Sequence, residues 1–248
     1  MSIASAIVTK QQQIADAYTA VDNKGGTLPA TQNLTNLATA ISSISSGGSG
    51  GGGTGTRDVP LTRISDDNGN EIGTWYMNFV DASRNEYKVV LLDAQYRAFA
   101  TQWCSNSGAV TNMPLYSNLK SSNVWEAKDT ATANTQLILD YCTANSYTST
   151  ACSHCRAQSF TIGGTTYYGQ LPNTVEMTFL ARHYNEFDSL DTSASSETSK
   201  NFSTVHTFWA SSQYDNANGW GLYPDGNIDY GNKSINYYAC PVLEIPVV

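Results

Sequence analysis

Apolar positions change their spacing along the chain, and the change marks its parts. In residues 3–22, Ile7, Ile14 and Val21 recur seven apart with Ala17 between them. In residues 31–44, Leu34, Leu37, Ile41 and Ile44 follow at three, four and three. Both spacings put the apolar side chains on one helical stripe of coiled-coil type. Gly25-Gly26 and Pro29 separate the two predicted helices. Helices this short are marginal alone, so residues 1–45 are expected to form a hairpin that pairs again, with copies of itself or with another protein. A Gly/Ser-rich run over 46–56 then breaks all periodicity. As a flexible coil it spans roughly 18 Å and decouples what lies on either side.

From Arg57 the pattern becomes that of strands. VPLTRI, TWYMNFV and YKVVLLD are short apolar runs separated by Asp66-Asp67-Asn68-Gly69 and Ser83-Arg84-Asn85. They predict three strands joined by tight turns. Residues 91–103 predict a helix, as do 131–145, with Leu137, Ile138 and Tyr141 on one face. A further helix is predicted over 174–187, where Pro172-Asn173 precedes the start and Glu176 lies in the first turn. Residues 188–201 are polar and read as a loop. GWGLY and NIDY read as strands joined by a β-turn at Tyr223-Pro224-Asp225-Gly226-Asn227, with Pro and Gly in favoured places. YYACPVLEI reads as one last strand, in which Pro241 implies an edge or a bulge. The expected class is therefore α+β.

Composition narrows the function. Hydrophobic residues make up 40% of the chain but charged residues only 14%, so Ser, Thr, Asn, Gly and Tyr must cover the surface. That suits an extracellular or virion surface. The net charge is −8; Lys10 and Lys24 cancel Asp16 and Asp22, so all of it lies beyond residue 56. An acidic chain with no basic cluster argues against nucleic acid as a partner. No apolar run is long enough for a membrane span. The N-terminus lacks the basic start and long apolar core of a signal peptide.

Candidate chemistry is sparse. The five cysteines are Cys104, Cys142, Cys152, Cys155 and Cys240. Without a signal peptide they are expected as free thiols. Cys152 and Cys155 have metal-ligand spacing, but a structural zinc site takes about four ligands and a second such pair is missing. Cys104 and Cys142 would have to complete it in space, and buried packing thiols are the simpler expectation. His154, His183 and His206 are scattered, and none sits in a metalloprotease or nucleophile-elbow motif. No cofactor and no metal is expected.

The informative stretch is Val205 to Pro246, where two residue populations interleave. One is bulky or chemically singular: Trp209, Ser211, Ser212, Trp220, Gly226, Lys233, Pro241, Val242 and Leu243. The other is Tyr214, Asp215, Asn216, Asn218, Tyr223, Asp225, Asn227, Asp229, Tyr230, Asn232, Ser234, Asn236, Tyr237 and Tyr238. Tyr with Ser, Gly and Asn is the composition of an antibody paratope, where rigid rings supply area and small polar groups supply adaptable hydrogen bonds. The same residues are also ordinary turn and strand formers.

The sequence FWASSQYDNANGWGLYPDGNIDYGNKSINYYACPVLEI resembles the variable region of proteins diversified by diversity-generating retroelements. That pattern runs Trp-x-Ser-Ser, variable polar residues, a Trp, an aromatic-x-x-Gly, a Lys, then Arg-Pro-Val-Leu. Upstream, YYGQLPNTVEMTFLARHYNEF is similar to the family's Tyr-x-Leu-Pro-Thr-x-x-Glu segment. One departure stands out: Cys240 occupies the place of the usual Arg before Pro-Val. In this family the adenines of a template are copied with errors. Changes at the adenines of an AAC or AAT codon give residues such as Tyr, Asp, Ser, His, Thr, Ile and Gly, but not Trp, Gln, Lys, Glu or Met. Gln213, Trp220, Lys233 and Glu244 would therefore have to be fixed.

The resemblance implies a C-type-lectin-like domain of the formylglycine-generating-enzyme type over 57–248, with its variable region at about 205–246. Residues 1–45 are similar, more loosely, to short helical modules near the start of phage tail proteins. The implied function is non-catalytic binding of a bacterial cell-surface receptor, protein or glycan. It would act from the tail of a virion made in the host cytoplasm. The fourteen polar and tyrosine residues named above would be the ligand-binding set, held by Trp209 and Trp220 packed beneath them and by Ser211 and Ser212 bonded to backbone. Residues 1–45 would contact other tail proteins or form a homo-oligomer, for which phage tail symmetry points to a trimer. A calcium-dependent sugar site is not expected, because its Glu-Pro-Asn or Gln-Pro-Asp triplet and its Trp-Asn-Asp are missing. A structural virion decoration protein and a formylglycine-generating-type enzyme are the alternatives.

Overall fold

The computed structural model of the protein describes residues 61–119, 123–190, 206–223 and 227–247, with Ile14, Ala17, Tyr18, Thr31, Asn33 and Asn36 from the N-terminal part. The chain divides into two compact units, Met1–Asp58 and Val59–Val248. In the first, Ile14, Ala17, Tyr18 and Asn36 are helical, and the Tyr18 hydroxyl donates to the Asn33 carbonyl at 2.9 Å. The remainder of the predicted helices 3–22 and 31–44, and the 46–56 linker, lie outside the described residues.

The second unit is a mixed α+β structure with three helices and three sheets among the described residues. The strands are β1 (Thr62–Ser65), β2 (Glu71–Val80), β3 (Glu86–Leu92), β4 (Ala98–Gln102), β5 (Ser159–Ile162), β6 (Thr165–Tyr168), β7 (Phe208–Gln213), β8 (Asn218–Leu222), β9 (Ile228–Asn232), β10 (Asn236–Ala239) and β11 (Val242–Pro246). The helices are α1 (Ala131–Ala144), α2 (Thr150–Arg156) and α3 (Thr174–Leu190). One sheet runs β1-β2-β3-β11, the second β4-β10-β7-β8-β9, and β5-β6 form a separate hairpin.

Local chemistry sets the first three strands. Asp66 folds the β1–β2 turn by accepting from the amides of Asn68 and Asn70, and Gly69 supplies the positive φ of 83°. Asp81 does the same between β2 and β3, accepting from Ser83 and Asn85. Where β2 and β3 pair, a Cβ on Gly73 would stand 2.3 Å from the Leu91 carbonyl oxygen, so only glycine lets them meet there. The helices carry side-chain caps. Thr130 accepts from the Ala133 amide and Ser149 from that of Cys152. Asn173 and Glu176 cap α3 reciprocally: Asn173 Oδ1 accepts from the Glu176 amide at 2.9 Å and Glu176 Oε2 from the Asn173 amide at 2.8 Å.

Two predicted elements are corrected. Residues 91–103 are not a helix: β3 runs to Leu92, Ala94–Tyr96 make a single 3₁₀ turn, and Ala98–Gln102 form β4. Pairing with β10 and burial of Trp103 outweigh the helical pattern of this stretch. The last apolar run is not one strand but two, in different sheets. Pro241 has no N–H to give a ladder, and the chain uses Cys240-Pro241 to pass from β10 in the second sheet to β11 in the first. Two further elements, α2 and the β5–β6 hairpin, were not anticipated. Gly163 and Gly164, both at positive φ, turn the hairpin, and their amides donate to the Asp67 carboxylate at 2.7 and 2.8 Å.

The second sheet is packed on both sides. Phe208, Ala210, Trp220, Leu222 and Tyr238 join Met177 and Leu180 of α3 in one core. Trp209 and Ala239 join Trp103, Ile138, Leu171 and four of the cysteines in another, against α1 and α2. Strand β11 reaches back to the start of α1: Glu244 accepts from the amides of Ala131 and Thr132, both at 2.8 Å. Glu176 faces Glu244 in the same buried place. Burial pushes both carboxyls up; the charge of Glu244 raises Glu176 further, whereas the hydrogen bonds that Glu244 accepts from Thr132, Ala131 and Glu176 hold it back, so the proton of the pair is kept on Glu176.

Candidate functional site

Strand β7 is buried along its whole length and carries the frame of the candidate surface. Trp209 is 0% exposed and donates from Nε1 to the Thr101 carbonyl at 3.0 Å, joining β7 to β4 across β10. Trp103 donates to the Ala210 carbonyl at 2.8 Å. Ser212 accepts from the first amide of α3, at Thr174, at 3.0 Å. Ser211 donates its own amide to the Pro172 carbonyl, while its hydroxyl accepts from the side chain of Asn134. These contacts fix β7 to two helices before any exposed side chain is placed.

Lys233 is the second part of the frame. It follows β9 in sequence, yet its ammonium is turned inward. There it donates to Gln213 Oε1 at 2.6 Å, the Gly108 carbonyl at 2.8 Å and the Asn216 carbonyl at 2.9 Å. It also lies 4.6 Å from the centre of the Trp103 ring. Burial lowers its pKa to about 8. Gln213 Oε1 accepts in addition from the Val110 amide at 2.9 Å. One ammonium thus ties the β7–β8 turn, the end of β9 and the loop after β4 to a single point.

The tyrosines lie on this frame. Tyr214 stacks on Tyr230 at 4.0 Å and 12°, and meets Trp220 edge-on at 5.2 Å. On the opposite side of β8 and β9, Gly219 and Gly231 are paired neighbours. A Cβ on Gly219 would stand 3.0 Å from Trp103, and one on Gly231 2.8 Å from the Tyr237 ring. The glycines therefore make room for aromatic rings to lie flat against the strands. Tyr237 continues onto Trp209 at 4.4 Å. Its hydroxyl is 2.9 Å from that of Tyr223, which donates in turn to the Tyr230 carbonyl at 2.9 Å.

The sequence-predicted set divides by exposure. Asn216, Asn227, Asp229, Tyr230, Asn232, Ser234 and Asn236 are exposed. Tyr214, Asp215, Asn218, Tyr223 and Tyr237 are half-buried. Asp215 and Asn218 shape the β7–β8 turn: the Asp215 carboxylate accepts from the amides of Ala217 and Asn218 and from the Asn218 side chain. Asn232 Oδ1 likewise accepts from the amide and hydroxyl of Ser234. Asp225, with the rest of 224–226, lies outside the described residues. The expectation that Tyr238 is displayed does not hold, for it is only 7% exposed. Successive side chains of β10 point to opposite faces. Tyr237 faces the glycine side, and Tyr238 turns to the core against Phe208, His206 and Phe99.

Phe99 and Ile235 are exposed neighbours of this set that sequence reasoning missed, at 60% and 39% exposure. Phe99 was hidden by the helical reading of 91–103. Among the described residues, no group of three or more His, Cys, Asp and Glu side chains is placed to hold a metal ion. His154 bonds the Tyr96 carbonyl, His183 bonds Glu186, and His206 lies against Tyr238, so the three histidines do not converge. No helix among the described residues is long and apolar enough to cross a membrane. Comparison with family models, curated proteins and solved structures finds no match in any of the three.

Proposed function

We propose that the chain is a non-catalytic binding protein of the retroelement-diversified kind, built on a C-type-lectin-like domain, with the surface around Tyr230 as its ligand-binding face. One observation carries the reading. Gln213, Trp220, Lys233 and Glu244, the residues that adenine-directed change cannot produce, are each at most 7% exposed. Residues that such change can produce hold the exposed positions Asn216, Asn227, Asp229, Tyr230, Asn232, Ser234 and Asn236. A frame buried on both sides tolerates changes at those positions because they touch solvent rather than core. Tyr230 and Tyr214 supply rigid contact area, and the surrounding Asn, Asp and Ser supply hydrogen-bonding groups. The ligand would be a protein or glycan of a bacterial surface and the carrier a phage tail. Residues 1–45 would serve as the attachment to tail proteins or to further copies of the chain.

The enzyme alternative gains no support from Cys152, Cys155 and Cys240. All three are 0% exposed. Burial pushes Cys152 and Cys240 up to about 12 and Cys155 well above its ordinary value, the opposite of an activated nucleophile.

The test is the DNA around the coding sequence. The proposal expects a near-copy of the segment encoding 205–246 that differs at adenines, beside a reverse transcriptase gene. A locus with neither contradicts the retroelement reading and favours the decoration protein.

A further inference from the structure

Beneath the candidate surface, the sulfurs of Cys104 and Cys142 are 3.4 Å apart. They come from distant parts of the chain: Cys104 lies just past the end of β4, and Cys142 in the last turns of α1. Their backbones are already held together on both sides of the pair. Ser105 donates its amide to the Thr148 carbonyl at 2.7 Å, Thr148 returns its amide to Ser105 Oγ at 2.9 Å, and Gln102 donates to Thr150 Oγ1 at 2.6 Å. The Tyr147 amide closes the end of α1 on the Cys142 carbonyl at 2.8 Å. Closing the 3.4 Å gap to a disulfide bond takes rotation about the Cα–Cβ bonds, which carries the sulfurs toward each other, while these backbone bonds keep the two elements side by side.

The two thiols differ in environment. The Cys142 thiol hydrogen-bonds Cys104 and holds the Cys104 sulfur toward its thiolate form, and the Lys233 ammonium acts in the same direction. Cys142 is pushed up by that bond and by burial, and keeps its proton. One sulfur is thus prepared to attack and the other to resolve. Cys104 and Cys142 are themselves buried, at 0% and 3% exposure, but the residues that follow each in sequence, Ser105 to Ser107 and Thr143 to Ser146, are exposed. An oxidant the size of hydrogen peroxide would have to reach them by an opening of the exposed segment that follows Cys104.

We propose that Cys104 and Cys142 are a peroxide-reactive dithiol that closes into a disulfide in the folded chain, tying the end of β4 to α1. In the first step the Cys104 thiolate attacks a peroxide oxygen. The O–O bond breaks, Cys104 becomes a sulfenic acid, and hydroxide leaves to take up a proton as water. In the second, the Cys142 sulfur attacks the Cys104 sulfur. The S–O bond breaks, and the departing hydroxide takes the Cys142 proton as a second water. Two thiols and one peroxide become one disulfide and two waters, the thiols supplying both electrons. The cross-link would fasten the loop that carries the Gly108 carbonyl, one of the three acceptors of Lys233, to the helix beneath it.

The experiment treats the folded full-length chain with hydrogen peroxide, blocks remaining thiols in denaturant, and maps the peptides by mass spectrometry before and after dithiothreitol. The proposal expects loss of two thiols, a linked pair of peptides containing Cys104 and Cys142, full reversal by reductant, and a melting temperature above that of the reduced chain. The Cys142→Ser chain, which cannot resolve, should instead accumulate a Cys104 sulfenic acid trapped by dimedone. Cys104 and Cys142 remaining as thiols overturns the proposal, as does linkage through Cys152, Cys155 or Cys240, or passage of Cys104 directly to sulfinic or sulfonic acid in the wild-type chain. Because the wild-type map decides on its own, a variant that fails to fold leaves the test intact.

Discussion

The Lys233 ammonium donates to Gln213 Oε1 at 2.6 Å, and through this bond the end of β9 is fastened to the end of β7. No carboxylate is among its three hydrogen-bond acceptors, which are one amide side chain and two backbone carbonyls. The charge is kept in place by hydrogen bonds and by the Trp103 ring rather than by an ion pair.

That arrangement makes stability depend on pH in a stated direction. The folded-state pKa of Lys233 is about 8, against an ordinary 10.5. The folded chain therefore holds this proton less tightly than the unfolded chain. The cost is fully present below about pH 8 and is relieved as pH rises toward the unfolded value, by roughly 2 kcal/mol after allowance for solvent screening. Urea midpoints of the wild-type chain should rise over this window, and those of Lys233→Met should lack that rise. Parallel profiles for the two chains would contradict it.

The Glu176–Glu244 pair predicts the opposite slope at lower pH. Both folded-state values lie above the ordinary carboxyl range, so the pair's contribution is complete below the unfolded value and is lost as pH rises through the folded one. Glu176→Gln reproduces the protonated acid: its oxygen accepts from the Asn173 amide and its NH₂ donates to Glu244. This variant should match the wild type near pH 5 and be the more stable of the two near pH 8. Thermal melts at the two pH values decide it, and a variant less stable at both would show that the pair holds no proton.

Frame and surface aromatics should separate energetically. Trp209→Ala removes a fully buried ring and its bond to Thr101, at a cost of about 3–5 kcal/mol. Tyr230→Ala removes an exposed ring and should cost under about 1 kcal/mol. Denaturant titrations measure both, and equal losses would remove the distinction between frame and surface.

Gly73→Ala should be among the most damaging small substitutions. Its Cβ would meet the backbone of Leu91 at 2.3 Å, and backbone cannot rotate away as a side chain can. Gly231→Ala meets the far end of the Tyr237 ring, which can swing aside at the expense of its bond to Tyr223. Melts of the two variants should differ widely, with Gly73→Ala the lower, and near-identical melts would contradict the backbone argument.

The first three strands were legible because alternation and Asp/Asn/Gly turns agree with one another. Helices α1 and α3 were legible from their apolar faces and caps. Residues 91–103 were misread because Ala and Leu spacing looks helical locally, while the partner strand β10 lies far away in sequence. Helix α2 was missed because its seven residues, TACSHCR, are too short to show a period. The Gly163-Gly164 hairpin did carry a signal, a two-glycine turn between runs rich in Thr and aromatics. At the site, Trp209, Trp220 and Lys233 are buried as their bulk and chemistry suggest, but the polar set mixes exposed with half-buried side chains, and composition could not tell Tyr237 from Tyr238. Which face of β10 each occupies depends on the parallel pairing with β7, which no local pattern encodes.

The central claim, a buried frame carrying a substitution-tolerant surface, is tested most directly by one library. Every codon from 205 to 246 is varied singly, the chains are displayed, and survivors of protease challenge are counted by sequencing. The account predicts that Asn216, Asn227, Asp229, Tyr230, Asn232, Ser234 and Asn236 accept most residues, while Trp209, Ser212, Gln213, Trp220, Lys233 and Tyr238 accept few. Equal tolerance in the two groups, or loss of folding at the exposed positions, would contradict it.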